Sequence, residues 1–234
     1  MTTISTSPPS SASAEVAQRL AAVRQRIEDA GGDPSRIRVV GVTKGFGPEA
    51  VLAARGAGLV DIGENYANEL VTKAERVESD DPLFASPLVW HFLGAIQRNK
   101  VPRLAPIVGL WQSVARAEES ARIARSAPGA AVLVEVETTG LAGRNGCPPD
   151  AVGDLVAHAR DDGLDVRGLM TVAGPGADAA QSAFETVRRL ADEYGLEERS
   201  MGMTDDLEAA VRAGTTMVRI GRALFGERPA KRTP

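Results

Sequence analysis

The sequence predicts a protein of the α/β class that forms a single (β/α)8 TIM barrel with one extra N-terminal helix. Eight short apolar segments alternate with segments of helical period along the 234 residues. This alternation is typical of parallel strands joined by right-handed crossovers. Several apolar segments carry no alternating polar positions, as expected for a parallel sheet covered on both faces. An open, doubly wound sheet is the alternative, but the turn after the first strand lacks the glycine-rich fingerprint of dinucleotide-binding sheets.

The predicted elements follow the chain in a regular order. The first is a helix at 14–30, ended by Gly31 and Gly32, with an apolar stripe on one face. The predicted strands are 37–43, 59–62, 88–93, 107–112, 131–136, 166–172, 200–203 and 217–220. The predicted helices between them are 48–57, 64–77, 116–126, 150–159, 179–194 and 205–213. We expect one barrel domain at 14–228, a disordered leader at 1–13 and a disordered tail at 229–234.

Composition excludes several classes of function. Lys and Arg number 27 against 31 Asp and Glu, and the net charge of −4 argues against binding to nucleic acid or anionic membranes. One cysteine and two histidines leave no pair for a disulfide and too few ligands for a metal site. The sequence has no run of about 18 apolar residues, and the N-terminal segment lacks the features of a secretory signal. We therefore expect a cytoplasmic protein.

Lys44 closes the first apolar strand, at the barrel end where active sites of this fold lie. A lysine there is either a rim charge in a salt bridge or an amine held for covalent chemistry. Burial and nearby cations lower a lysine pKa, which raises the fraction of neutral amine able to form an imine with an aldehyde. Position alone leaves both interpretations of Lys44 open.

The ends of the last two predicted strands carry groups suited to a phosphate. Barrels often bind phosphate between the loops that follow strands seven and eight. Gly202 and Gly221 permit close backbone approach, while Ser200 and Arg222 add a hydroxyl and a cation. The alternative is that these glycines only permit the turns, but two such ends side by side favour phosphate.

Arg219 lies between two apolar residues of strand eight and is expected to point into the barrel or its mouth. Its partner there is either a structural carboxylate or a ring nitrogen or anion of a ligand. An imine-forming lysine, a phosphate site and an internal arginine together suggest pyridoxal 5′-phosphate (PLP). This cofactor carries an aldehyde, a phosphate and a pyridine nitrogen.

Other polar residues have ordinary structural explanations. His91 is expected to be a core histidine satisfied by a backbone carbonyl, and His158 a surface residue on a helix. Asn65 suits a helix start. Arg144, in a glycine-rich loop, is a possible ligand contact, and Cys147 in the same loop has no evident acid/base partner.

Six ordered motifs form a specific pattern along the chain. They are VVGVTK at 39–44, GENY at 63–66, WHFLG at 90–94 with QRNK at 97–100, GLMT at 168–171, SMGM at 200–203, and VRIG at 218–221 with LFGER at 224–228. Over residues 15–228 this pattern resembles the pyridoxal phosphate homeostasis proteins of the YggS/PROSC type. That family is similar to the barrel domain of alanine racemase.

The resemblance implies a role for each site residue. Lys44 is expected to form the internal aldimine of PLP, Arg219 to face the pyridine nitrogen, and Asn65 to lie near the ring. An arginine at that nitrogen disfavours its protonation and weakens the electron sink that carbanion chemistry needs. The phosphate is expected to be held by Ser200, Met201, Gly202, Gly221 and Arg222. Many family members have a small hydroxyl residue where this chain has Arg222, so the contact there is expected to be a charge.

The resemblance also implies a function without turnover. It favours a protein that holds PLP as a lysine imine, takes part in intracellular vitamin B6 homeostasis and supplies PLP to apo-enzymes. A PLP-dependent amino-acid racemase is one alternative, and a Schiff-base lyase using Lys44 directly on a phosphorylated carbonyl substrate is another. Two-base racemisation needs an acid/base group on each face, whereas the sequence offers only Tyr66 and Tyr194 and ends soon after the eighth unit. We expect a monomer.

Overall fold

Eight parallel strands close into one barrel in the computed structural model, which describes residues 10–80 and 88–228. Each strand pairs with the next along the chain, and β8 pairs with β1. The strands are β1 (Arg38–Val42), β2 (Asp61–Glu64), β3 (Val89–Phe92), β4 (Val108–Val114), β5 (Ala131–Glu135), β6 (Asp165–Met170), β7 (Glu198–Ser200) and β8 (Met217–Ile220). The predicted barrel is confirmed, and the open-sheet alternative is wrong.

One helix precedes the barrel and one follows each strand. The helices of the described ranges are α1 (Ser11–Asp29), α2 (Pro48–Gly56), α3 (Ala67–Asp80), α4 (Val101–Leu104), α5 (Ala117–Ser126), α6 (Val152–Asp161), α7 (Ala177–Glu193), α8 (Leu207–Arg212) and α9 (Arg222–Phe225). A single 3-10 turn, Pro149–Ala151, leads into α6. Among the helices of these ranges, none is both long and apolar enough to cross a membrane.

Helix α1 covers the seam where the barrel closes, because it packs against α2, α8 and α9. Its predicted apolar stripe is buried at Val16, Leu20, Val23 and Ile27. The helix begins at Ser11, three residues before the predicted start, so 11–13 belong to it and not to the leader. The reason is a cap: the Ser13 N–H donates to the Ser10 hydroxyl at 3.2 Å. The rest of the predicted leader and the whole predicted tail at 229–234 lie outside the described residues.

Two apolar clusters stabilise the barrel, one on each face of the sheet. The larger cluster lies between the strands and the surrounding helices. The smaller one fills the barrel interior with side chains from alternate strand positions, including Val40, Leu110, Leu133, Met170 and Met217. Polar side chains share this interior with the smaller cluster.

Strand β7 ends at Ser200, three residues before the predicted end at 203. Gly202 has a φ of +96°, which lies outside the extended region and turns the chain toward α8. The apolar residues Met201 and Met203 made this turn look like the continuation of a strand. The error matters for the site, because it displaces the predicted strand end along the chain.

We expect Gly202→Ala to destabilise the fold by about 1–3 kcal/mol. Beside the strain of the positive φ, a Cβ at this position would lie 2.5 Å from the Cβ of Ala210. Urea unfolding measures the loss. Gly129→Ala is the matched control, since its φ is +76° but nothing lies within 4 Å of an added Cβ. Equal losses for the two variants would show that the contact with Ala210 has no effect.

Candidate functional site

A cavity of about 530 Å³ opens at the carboxyl ends of the strands. Five of the eight predicted site residues line it together, namely Lys44, Asn65, Arg219, Gly221 and Arg222. Barrel closure brings them together from the ends of β1, β2 and β8. The remaining lining residues are Val42, Phe46, Leu93, Met170, Val172, Met203, Thr204, Asp205, Gly226, Glu227 and Arg228.

The cavity is cationic although the whole chain carries a net charge of −4. Four basic side chains line it against two carboxylates. The basic residues are Lys44, Arg219, Arg222 and Arg228, and the carboxylates belong to Asp205 and Glu227. A concave site with an excess of one charge raises the local concentration of ligands of the opposite charge. The cavity is therefore suited to an anionic ligand.

Lys44 follows β1 directly and is half-buried in the cavity wall. Burial lowers the pKa of its ammonium, and the charges of Arg228 and Arg219 lower it further, while Glu64 acts in the opposite direction. Within the described ranges, no side chain forms a hydrogen bond or ion pair with its Nζ. The structure therefore offers no support for the salt-bridged rim lysine and favours an amine kept available for chemistry.

A buried ion pair supports the backbone that carries Lys44. The Lys73 ammonium donates to Glu64 Oε1 at 2.5 Å and to the carbonyl oxygen of Thr43 at 2.7 Å. The Thr43 hydroxyl also donates to Glu64 Oε1, at 2.5 Å. Sequence reasoning missed Lys73, because a charged residue within a helical pattern normally faces solvent. Its only signal is that it lies four residues after Glu69, on the same helix face.

Arg219 points inward from β8, as predicted, and is 5% exposed. Its Nη1 donates to the carbonyl oxygen and the hydroxyl of Ser200 at 2.7 and 2.8 Å, and its Nη2 donates to the carbonyl oxygen of Thr171 at 2.6 Å. Burial lowers the pKa of Arg219 to about 10, so the guanidinium remains protonated at neutral pH. At the base of the cavity it is a donor only.

Asn65 presents an unsatisfied acceptor. Its Oδ1 is buried and has no hydrogen-bond partner. A Cβ on Gly94 would lie 1.9 Å from the Asn65 backbone oxygen, so a glycine is needed for the two loops to approach this closely. A buried polar atom without a partner costs free energy. Asn65 also lines the cavity, so this unsatisfied acceptor belongs to a residue that borders the space for a ligand.

Ser200, Met201 and Gly202 do not themselves line the cavity, and their predicted contact with the phosphate stays a prediction. The Ser200 hydroxyl is fully buried and donates to Gln112 Oε1 at 2.6 Å, while the Met201 side chain packs in the outer core. Because β7 ends at Ser200, the loop that reaches the cavity is 203–205. The predicted strand seven therefore extends three residues into the loop that reaches the cavity.

Arg222 lies at the cavity mouth in an exposed position, at the start of α9. Its Nη2 contacts Asp205 Oδ1 at 2.5 Å, an ion pair between the loops after β7 and β8. Gly221 joins β8 to α9 beside it. A ligand anion at this point therefore competes with Asp205 for the guanidinium.

The other candidates are placed as follows. His91 is buried, but side chains of Asp61 and Gln112 satisfy it and not the predicted backbone carbonyl. His158 is exposed, as predicted. Arg144 Nη2 donates to the carbonyl oxygen of Val172 at 3.1 Å, beside the cavity wall. Burial raises the pKa of Cys147 to about 11, which keeps the thiol protonated.

Comparison with known proteins shows the family to which this chain belongs. The family described as alanine racemase, N-terminal domain, matches residues 13–229. A pyridoxal phosphate homeostasis protein from Pseudomonas aeruginosa is 36% identical over 222 residues, covering 91% of this chain and 94% of the relative. The chain belongs to the pyridoxal phosphate homeostasis protein family. The resemblance carried by the six motifs is confirmed.

Two solved structures agree with this family assignment. An unknown protein from Bifidobacterium adolescentis has a TM-score of 0.83 at 27% identity, covering 94% of this chain and 98% of its own. PipY of Synechococcus elongatus, determined with PLP bound, has a TM-score of 0.77 at 29% identity, covering 90% of this chain and 100% of its own. Both structures share the fold of this chain, and the relatives that match its sequence are named as homeostasis proteins rather than as enzymes.

Proposed function

We propose that this protein binds PLP through Lys44 and takes part in intracellular PLP homeostasis. The observation that carries this proposal is a lysine of lowered pKa, without a partner among the described residues, in a cationic cavity at the barrel mouth. The name of the Pseudomonas aeruginosa relative and the PLP bound to PipY support the same ligand.

The residues of the cavity fit the parts of PLP. PLP supplies an aldehyde that condenses with a primary amine, with loss of water, and Lys44 is the only lysine among the described lining residues. The cationic mouth at Gly221 and Arg222, facing the loop 203–205, suits the phosphate. The unsatisfied Asn65 Oδ1 suits a donor on the ring or its substituents.

Arg219 supports a protein that keeps PLP without turning over amino acids. A protonated guanidinium can donate to a ring nitrogen but cannot accept a proton from it, so the nitrogen stays unprotonated. An unprotonated ring is a weak electron sink. Of the described residues that line the cavity, none is Tyr, His or Cys, and of its two carboxylates Asp205 is held in an ion pair by Arg222. These features favour the carrier over the racemase-type enzyme.

The direct test is a titration of PLP into PLP-free protein. We expect a visible imine band that borohydride bleaches, and no α-proton exchange of D- or L-alanine in deuterated water. Protein that stays colourless and takes up no PLP would contradict the proposal. Rapid exchange of the alanine α-proton would support the racemase instead.

Delivery to apo-enzymes is the second part of the proposal. PLP-loaded protein is mixed with an apo-form of a PLP-dependent enzyme, alongside free PLP at the same concentration. We expect reactivation of the enzyme by the loaded protein. Failure to reactivate any apo-enzyme would remove the delivery role and leave PLP storage. The monomeric state and the cytoplasmic location stay predictions, the first tested by light scattering.

We expect Arg228→Ala to shift imine formation with PLP to higher pH. The Arg228 charge lowers the pKa of Lys44, so its removal raises that pKa and leaves less neutral amine at a given pH. The measurement is the pH dependence of the imine-forming rate. Arg228→Lys keeps the cation and is expected to retain the profile of the unmodified protein. A profile unchanged in Arg228→Ala would contradict this effect of Arg228.

We expect Asp205→Asn to tighten PLP binding about two- to five-fold, as for the loss of one exposed charge pair. The change frees Arg222 from its ion pair and leaves the guanidinium for the phosphate. Fluorescence titration with PLP gives the Kd. Glu227→Gln removes the other lining carboxylate without releasing Arg222. It therefore separates the release of Arg222 from the change in the net charge of the cavity. Equal gains in both variants would show that only the net charge of the cavity matters.

A further inference from the structure

A continuous chain of hydrogen bonds crosses the interior of the barrel and ends at the cavity. It is formed by one side chain from each of five strands. In order they are Asp61 (β2), His91 (β3), Gln112 (β4), Ser200 (β7) and Arg219 (β8), with successive contacts of 2.9, 2.7, 2.6 and 2.8 Å. His91, Gln112 and Ser200 are fully buried, so these contacts are shielded from water.

The donor and acceptor properties of each group give this series of hydrogen bonds a direction, starting from Arg219. A guanidinium only donates, so the Ser200 Oγ accepts from Arg219 Nη1 and must donate its own proton to Gln112 Oε1. The amide nitrogen of Gln112 then faces His91 Nδ1. The same nitrogen also lies 3.0 Å from the Met217 sulfur, a weak acceptor. The Ser200 proton needs the amide oxygen on its side and the Met217 sulfur can only accept, so the amide nitrogen is the atom that faces His91.

The direction continues through His91 to the other end of the barrel. Because Gln112 Nε2 donates to His91 Nδ1, the ring proton lies on Nε2 and is donated to Asp61 Oδ1. Asp61 begins β2, and its Oδ1 lies 3.9 Å from Nε of Arg38, which begins β1. The hydrogen-bond pattern thus assigns a neutral His91, and a carboxylate at the amino end of the strands selects its tautomer.

This chain of hydrogen bonds ends on the one side-chain hydrogen bond that Arg219 makes with the described residues. Two of the three hydrogen bonds that orient the guanidinium go to backbone oxygens, which the barrel fixes. The third goes to the Ser200 hydroxyl, which can rotate unless Gln112 accepts its proton. Without that acceptor the hydroxyl would be free to point its proton elsewhere, and Arg219 would lose a defined partner.

We propose that Asp61, His91 and Gln112 are positioning residues that hold the Arg219 guanidinium in the orientation it presents to the ring of PLP. This inference rests on the proposed function for its ligand. It assigns a purpose to polar groups that lie deep in the barrel and touch nothing in the cavity. The residues that determine the surroundings of the PLP ring therefore include side chains at the opposite end of the strands.

The first test needs no cofactor. Nitrogen-15 NMR of the PLP-free protein reports the His91 tautomer and the Arg219 side-chain resonance. We expect the neutral ring with its proton on Nε2, and a displaced Arg219 resonance in Gln112→Met, which has similar length but no amide. A proton on Nδ1, or an Arg219 resonance unaffected by Gln112→Met, would overturn the proposal whether or not PLP binds.

The second test uses the PLP-loaded protein. We expect Gln112→Met to keep the borohydride-trapped bond to Lys44, to shift the visible absorption band, and to weaken PLP binding about ten-fold. Ser120→Ala is the control for general destabilisation, because it removes a buried hydroxyl from α5, outside the barrel. If Gln112→Met has the same visible absorption band and the same Kd for PLP as Ser120→Ala, the positioning role is overturned.

A conservative variant protects the result against simple misfolding. In Gln112→Glu a carboxylate still accepts from Ser200, so the last link to Arg219 is kept, whereas the donor to His91 is lost and with it the contribution of His91 and Asp61. We expect its absorption band to lie closer to that of the unmodified protein than to that of Gln112→Met. Identical bands in the two variants would contradict the proposal. Absence of PLP uptake in the unmodified protein would count against the proposed function, and the NMR result would still decide the positioning role.

Discussion

Replacing Lys44 by alanine is expected to reduce the borohydride-trapped PLP adduct to background. The amine of Lys44 is the only primary amine among the described residues of the cavity, and its pKa is lowered by burial and by Arg228 and Arg219. Without it the cationic mouth still attracts the phosphate, so we expect weak, reversible uptake of PLP without an imine band. Absorption spectra and intact-protein mass after reduction measure the two effects separately.

Two controls sharpen this result. Lys44→Arg keeps a charge but is not a nucleophile at neutral pH, and it is expected to lose the adduct as completely as alanine does. Lys100→Ala removes a lysine from a neighbouring cleft at α3 and is expected to keep the adduct. An adduct that persists in Lys44→Ala would show that another amine holds PLP.

The second large effect is expected from Lys73→Met, which removes one partner of a buried ion pair. Such a change destabilises a protein by about 3–5 kcal/mol and lowers Tm by about 6–20 °C at this chain length. The Lys73 side chain is 4% exposed and that of Glu64 is fully buried, so water cannot replace the lost partner. The Glu64 Oε2 already lacks a hydrogen bond. Thermal unfolding at neutral pH measures the loss.

The pH dependence of Lys73→Met distinguishes an unpaired charge from lost packing. Burial raises the pKa of Glu64, and Lys73 opposes that rise, so the variant raises the pKa further. A carboxyl whose pKa is raised by folding favours the folded state below its ordinary pKa of about 4.5 and loses that advantage as pH rises. We therefore expect the destabilisation to be small in acid and to grow toward neutral pH.

Glu64→Gln in the Lys73→Met background is the matched control. It removes the unpaired carboxylate, and we expect most of the lost stability at neutral pH to return. A loss of the same size at every pH, unaffected by Glu64→Gln, would show that the methylenes of Lys73, and not its charge, support the loop before Lys44.

Several site residues escaped sequence reasoning for identifiable reasons. Lys73 follows the pattern of a surface helix, and only the packing of α3 against the barrel buries its ammonium. Thr204 received no role, because the apolar residues Met201 and Met203 on either side of Gly202 made the turn before it look like a strand. Arg228 lies at the edge of a basic tail, and its approach to Lys44 depends on α9 folding back over the barrel mouth.

The polar interior of the barrel could not have been predicted either. His91 and Gln112 lie on neighbouring strands, but Ser200 and Arg219 join them from the far end of the chain. A register shift between β3 and β4 at Trp90 and His91 also affects which side chains stand opposite each other. Period and composition do not report such register, so the expected backbone partner for His91 was wrong.

By itself, the sequence determined the eight β/α units, the extra helix, and the location of Lys44 and Arg219 at the barrel mouth. These follow from hydrophobic period and from the direction of side chains on a strand, which are local properties. Only the tertiary structure decided that Ser200 lies below the cavity, that Asp205 neutralises Arg222 and that Lys44 has no described partner. Each of these depends on closure of the barrel, which sets the distances between residues far apart in the chain.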